Sequence, residues 1–273
     1  MRTSGVTDVV LGMHPNDHLC WPFDDFAEFR TRAAEFLVDG LRLGQRACYV
    51  ARGADLAADL QAEPVLVEAL RDGRAQAISL ESQYTSGTAV TPAAQVGVYA
   101  AATRAAVEAG FTGLRVAADA TTLVRTPDAL DAFCRYEHMI DRYMTAEPFS
   151  AMCAYQRGEL PEPAIVRLSS LHPVNNAWCA PFRLHATADG IALDGEIDWV
   201  SRDLLELALE NTAPRDGVLH VDTTRLAFID HHGLIALHDF ARANGATLVL
   251  RSQRSALARM VSILGLDGVE FVR

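Results

Sequence analysis

The chain reads as an α/β protein of two units, a Rossmann-like three-layer domain followed by a smaller α/β domain, and three observations predict this. Apolar strand patterns alternate with amphipathic helix patterns along both halves, as in a mostly parallel sheet covered by helices. Glycines at 40, 44, 73 and 110 stand where helices should stop. Between Tyr155 and Phe182 the periodicity breaks, and prolines at 161, 163, 173 and 181 punctuate the segment. Domains are therefore expected at 1–170 and 182–273, with a linker over 171–181.

Each element follows from local pattern. The spacing predicts a helix over 26–43, a strand over 46–51, a helix over 54–72, a strand over 75–80 and a long helix over 92–109. A strand over 113–121, a helix over 127–144 and a strand over 150–155 complete the first unit, and a short helix is expected at 164–171 inside the connecting segment. In the second unit, strands over 182–187 and 191–197 form a hairpin turning at Asp189 and Gly190. A helix over 201–212, a strand over 217–223, a helix over 231–243, a strand over 246–251, a helix over 255–264 and a strand over 269–272 follow. The helix over 231–243 sets Leu234, Leu237 and Ala241 on one face with Phe240 beside them, the pattern of a helix lying on a sheet.

Composition narrows the function. Half of the 273 residues are hydrophobic, which suffices for packed cores. The net charge is −11, and the 24 basic residues, all arginines, form no cluster that would neutralise a phosphate backbone, so no nucleic-acid partner is expected. A chain without lysine has no Schiff-base amine and no P-loop. Five cysteines at 20, 48, 134, 153 and 179 lack the short paired spacings of a zinc or disulfide framework and read as reduced thiols. No apolar stretch approaches membrane-spanning length, and the opening MRTSGVTDVVLGMHPNDH carries no secretory or transit pattern, so a cytoplasmic location without membrane contact is expected.

The richest segment is LHVDTTRLAFIDHHG, 219–233, where a buried strand runs into a helix start presenting two adjacent histidines. Asp230 is the expected N-cap, accepting from the backbone N–H of His232 or Gly233. The positive end of the helix dipole disfavours a cation, so His231 and His232 are expected neutral. Two readings stay open for these residues and for Asp198 ahead of the next helix: plain caps and solvated loop residues, or a contact surface. Asp222, Thr223 and Thr224 are expected to end a strand. His14, His18 and Cys20 have the chemistry of metal ligands, but Pro15, Asn16 and Asp17 break the helix that would converge them, and no metal is expected. Cys153 in a buried strand reads as an inert thiol. No nucleophile, base and oxyanion-hole set is recognisable, so no catalytic residue and no enzymatic activity are expected.

Two families are resembled. LDGEIDWVSRDLLELAL at 193–209, VLHVDTTRLAFIDHHGLIALHDFAR at 218–242 and ATLVLRSQRSALARMVSILGLDGVEFV at 246–272 resemble, in order, the STAS domain of anti-sigma factor antagonists. That resemblance implies a partner, an anti-sigma factor or another regulatory protein, docking at Asp198, Asp230, His231, His232 and Gly233. It also implies a serine or threonine phosphoacceptor where this chain carries His231, so control by a serine kinase is not expected. DHLCWPFDD at 17–25 is similar to the His-x-Cys-x-x-Tyr start of the MEDS sensory domain, with Phe23 in place of the tyrosine. FLVDGLRLGQRACYVA at 36–51, GLRVAADAT at 113–121, the pair Tyr136 and Glu137, and MCAYQR at 152–157 extend the likeness. It implies sensing of a small organic ligand, with His18, Cys20, Phe23, Asp119, Glu137 and Tyr155 as pocket candidates.

The architecture is also similar to the RecA-type ATPase core, with Asp119 resembling a magnesium-binding aspartate in position only. Together these readings describe a bacterial-type cytoplasmic signalling regulator without cofactor, in which a sensory domain is coupled to a STAS domain; both families are compatible with a homodimer. One alternative is a small-molecule or nucleotide-binding protein whose second half is an oligomerisation scaffold. Another is a degenerate RecA-like ATPase, which predicts magnesium-dependent hydrolysis.

Overall fold

A computed structural model describes residues 3–53, 55–83 and 89–272. Its first unit contains, in chain order, β1 (Gly5–Val6), β2 (His18–Phe23), α1 (Phe26–Arg42), β3 (Arg46–Ala51), α2 (Leu56–Asp59), α3 (Pro64–Asp72), β4 (Ala75–Ser79) and α4 (Leu80–Gln83). Then come α5 (Pro92–Glu108), β5 (Leu114–Asp119), α6 (Pro127–Met144), β6 (Phe149–Gln156), α7 (Glu162–Ser169) and β7 (Val174–Asn175), the last lying in the connecting segment. The seven strands make one parallel sheet in the order β1-β7-β2-β6-β5-β3-β4. Strand side chains alternate between faces. Cys20, Val50, Val116, Cys153 and Tyr155 pack with residues of α5, α6 and α7, whereas Leu19, Trp21, Phe23, Tyr49 and Met152 pack with residues of α1 and α3. Helices on both faces give the three layers that the alternation predicts.

The second unit contains β8 (Phe182–Ala186), β9 (Ile191–Ile197), α8 (Arg202–Leu209), β10 (Val218–Asp222), β11 (Leu226–Ile229), α9 (His231–Ala243), β12 (Thr247–Arg251), α10 (Ser255–Leu264) and β13 (Val269–Val272). Its sheet runs β11-β9-β10-β12-β13, with β8 antiparallel to β9 across the expected hairpin. The units are not separate in packing: Phe133 and Ile140 of α6 belong to the same apolar core as Phe182 and Leu184 of β8. Asp141 Oδ2 accepts the backbone N–H of Ala186 at 2.7 Å, and Arg225 donates to the Ser4 carbonyl at 2.6 Å.

The structure corrects the local reading in three places. The helix expected over 54–72 is two helices, because Pro64 occupies the first turn of α3, where its missing N–H costs nothing, and the chain turns before it; Ala54 lies outside the described residues. Gly40 does not end a helix but sits inside α1, where a Cβ would lie 2.5 Å from Arg115 Cδ. The absent side chain makes room for the fully buried Arg115, which donates to Gln45 Oε1 at 2.7 Å and to the Met13 carbonyl at 2.9 Å. Gly44, Gly73 and Gly110 do end helices, at φ of 77°, 82° and 91°. Finally, the segment ahead of α9 is two strands: β10 ends at Asp222, the chain turns, and β11 leads into the helix. Among the described residues no helix is long and apolar enough to cross a membrane.

Candidate functional site

Three elements meet on the α6 face of the first sheet. β2 supplies His18, and β6 supplies Cys153 and Tyr155 two residues apart, hence on the same face. α6 crosses above them with Glu137 and Asp141 four residues apart on its buried side. The turn after α7 brings in His172.

His18 Nδ1 lies 3.1 Å from Asp141 Oδ1, and its Nε2 lies 3.1 Å from Glu137 Oε2. Cys153 Sγ is 3.5 Å from His18 Nε2 and 3.7 Å from Glu137 Oε2. The Tyr155 hydroxyl donates to Glu137 Oε1 at 2.6 Å. His172 Nδ1 is 2.8 Å from the Leu168 carbonyl, and a carbonyl only accepts, so Nδ1 carries the proton and Nε2 the lone pair. That Nε2 is buried without a hydrogen-bond partner, 3.6 Å from Glu137 Oε2.

Burial and close polar neighbours together set the protonation states. Burial alone would lower the His18 pKa, but hydrogen bonds to Asp141 and Glu137 outweigh it and the value is raised. Burial would raise Glu137, yet the hydrogen bond and charge of His18 and the hydrogen bond from Tyr155 bring it below its ordinary value. Burial and the charge of His18 lower His172 to about 4, leaving it neutral at pH 7. Cys153 is pushed well up by burial and then by Glu137, so it stays a thiol and presents no ready nucleophile. The arrangement is suited to holding a proton or a cation. Beside it lies a small, largely apolar recess of about 20 Å³, lined by Tyr99, Val116, Phe133, Tyr136 and Phe149 and sharing Cys153 with the cluster.

Of the pocket candidates read from sequence, His18, Glu137 and Tyr155 come together, and Cys20 lies nearby with Sγ 3.6 Å from Ser169 Oγ. Phe23 does not join them. Five positions beyond His18, it faces the opposite side of the sheet and stacks on Phe29 at 5.3 Å. Asp119 is apart too, at the end of β5, where Arg52 donates to it at 2.8 Å. His14 is exposed and does not converge with His18.

Asp141 and His172 escaped the sequence reading. A signal for Asp141 did exist: two carboxylates share the face of α6 that holds Phe133 and Ile140. His172 had none, since it stands in the proline-rich break.

A second group occupies one end of the other sheet. β9 and β11 pair through Ile197 and Ile229, so the loops that follow them lie side by side. In the first loop Asp198 Oδ1 accepts from the N–H groups of Val200 at 3.1 Å and Ser201 at 3.0 Å, and Ser201 starts α8. In the second, Asp230 caps α9 by accepting from Gly233 N–H at 3.0 Å. Burial would raise the Asp230 pKa, but the hydrogen bonds from Gly233 and His232 lower it. A Cβ on Gly233 would stand 2.6 Å from Ile197 Cγ2, so the helix start is pressed onto both strands and Gly233 is buried.

His231 is exposed, with its ring 3.8 Å from that of His232. Trp199 and Val200 in the neighbouring loop are 72% and 67% exposed. Neither nearby threonine is at the helix start: Thr223 is buried and donates to the Arg251 carbonyl, and Thr224 donates to Asp222.

A family model described as the methanogen/methylotroph DcmR sensory domain, MEDS, matches residues 17–173. A model described as Mlab, STAS domain, matches residues 181–273. No curated protein matches the chain.

Proposed function

Because the chain belongs to the MEDS family and carries a STAS domain after it, we propose that it is a signalling regulator whose first domain senses and whose second binds a regulatory protein, such as an anti-sigma factor. The observation that carries this reading is the exposed Trp199 and Val200 beside the capped helix start at His231. A large indole left in water next to a fixed backbone turn is the composition of an interface anchor, since tryptophan is enriched among residues that dominate binding energy. Asp198, Asp230 and Gly233 hold the two loops in shape, and His231 and His232 supply polar contacts at their rim. His231 has no hydroxyl, so the first domain, rather than a serine kinase, supplies the control.

Coupling between the domains is supported by Asp141, which touches His18 with one oxygen and the backbone of Ala186 in β8 with the other. A change in the buried cluster therefore has a direct path to the second sheet through this carboxylate.

Affinity capture on the immobilised full chain, repeated with Trp199→Ala and His231→Ala, tests the proposal. A regulatory protein retained by the unaltered chain and weakened about tenfold or more by Trp199→Ala is expected. Identical retention by all three chains would remove the reading.

A further inference from the structure

We propose that His18, Glu137, Cys153 and His172 form a four-coordinate site for a divalent transition metal, with Zn2+ as the expected occupant. The four donor atoms lie within 4.8 Å of one another and all four residues are buried. Tetrahedral zinc, with bonds of about 2.0–2.2 Å to nitrogen or oxygen and about 2.3 Å to sulfur, separates its ligands by about 3.3 Å, or about 3.6 Å where one is sulfur. Here the nitrogen–oxygen separations are 3.1 Å from His18 and 3.6 Å from His172, both to Glu137 Oε2. The sulfur separations are 3.5 Å to His18 Nε2 and 3.7 Å to Glu137 Oε2. The two remaining separations, from His172 Nε2 to His18 Nε2 and to Cys153 Sγ, are within 4.8 Å, so seating the ion draws the His172 ring inward by at most about 1.5 Å while the other three donors are already spaced for it.

The surroundings are those of a metal site as well. Metal-bound histidines present one nitrogen and give the other N–H to a carboxylate or backbone carbonyl. His18 has Asp141 in that place, His172 has the Leu168 carbonyl, and Glu137 is held by the Tyr155 hydroxyl on the oxygen that the ion would not use. The lone pair of His172 Nε2, buried and without a donor, is a polar group left unsatisfied by the protein itself. A cation at the centre of the four donors satisfies it.

Two imidazoles, a thiolate and one carboxylate select zinc-class metals over magnesium or calcium, which prefer oxygen-only sets. Four protein ligands leave no open position, which suits a structural or sensing role rather than hydrolysis. The sequence hid this site because its ligands come from four separate stretches with no short pairing. The surface trio Asp230, His231 and His232 also offers three donors, but His231 is exposed, the other two are only half-buried, and no buried lone pair points among them.

The test is titration of chelator-stripped full-length protein with Co2+, followed by Zn2+ competition. One equivalent is expected, with the intense visible bands of tetrahedral cobalt and a near-ultraviolet thiolate band, both displaced by Zn2+. Cys153→Ser removes the thiolate band, and His172→Gln weakens binding. Tyr155→Phe leaves every ligand in place yet lowers affinity about 10–100-fold, and it keeps the test decisive if a ligand variant fails to fold. Protein that is folded by circular dichroism but takes up neither metal overturns the proposal, as does an octahedral spectrum indifferent to Cys153→Ser and Tyr155→Phe. Partner capture is scored separately, so the metal site and the regulator reading can fail independently.

Discussion

The molecule carries two histidine pairs of nearly equal geometry, His18 with His172 at 4.1 Å between rings and His231 with His232 at 3.8 Å, and both stand beside carboxylates. Their surroundings differ. The first pair is sealed between a sheet and two helices, so every nitrogen must be matched by a protein atom, and three of the four are. The second pair begins a helix at the surface, where water matches whatever the protein does not. Identical side chains thus become a fixed set of donors in one place and an adaptable contact in the other, and exclusion of solvent, rather than residue type, makes the difference.

The largest test of this contrast removes a buried charge. Glu137→Ala strands the protonated His18 and the Tyr155 hydroxyl, and should cost about 3–5 kcal/mol in urea unfolding. A loss under about 1 kcal/mol would mean that water reaches the cluster and the pairs are alike after all.

Acid gives the next effect. His138, beside Glu137 on α6, is lowered from 6.5 to about 4, by burial first and then by Arg142 and His185. A histidine whose folded pKa is depressed contributes stability that is present above its unfolded value and lost as pH falls toward the folded one. Its share of that loss between pH ~7.5 and ~5 is on the order of 2 kcal/mol. His172 acts in the same direction, whereas His18, raised on folding, opposes them. Urea midpoints measured across this range should fall less steeply in His138→Leu than in the unaltered chain, and parallel slopes would refute the assignment.

At the exposed pair the expected effects shrink. Asp230→Ala loses the α9 cap and should cost about 1 kcal/mol. His231→Ala should change stability by less than about 0.5 kcal/mol while still weakening partner capture, which would separate contact from architecture. A destabilisation by His231→Ala as large as that of Glu137→Ala would erase the comparison.

Elements long enough to display a period were legible in the chain. α1, α6, α9 and α10 match their expected spans within a residue, because an amphipathic stripe over three or more turns leaves little choice of structure. β1, β7 and β11 are too short to show one, and they form because a neighbouring strand supplies hydrogen bonds. The cap at Asp230 was equally readable, since capping is a matter of three or four consecutive residues.

By itself, then, the sequence determined the two α/β units, the order of their helices, the helix start at Asp230, and which motifs resemble known families. Tertiary structure alone decided that Glu137 and Asp141 meet His18 and that His172 reaches them from a stretch without periodicity. Local pattern encodes which face of an element is apolar, but the meeting of polar groups in a core depends on sheet order and helix placement, which bring together Glu137 and Cys153, 16 positions apart, and His18 and His172, 154 apart.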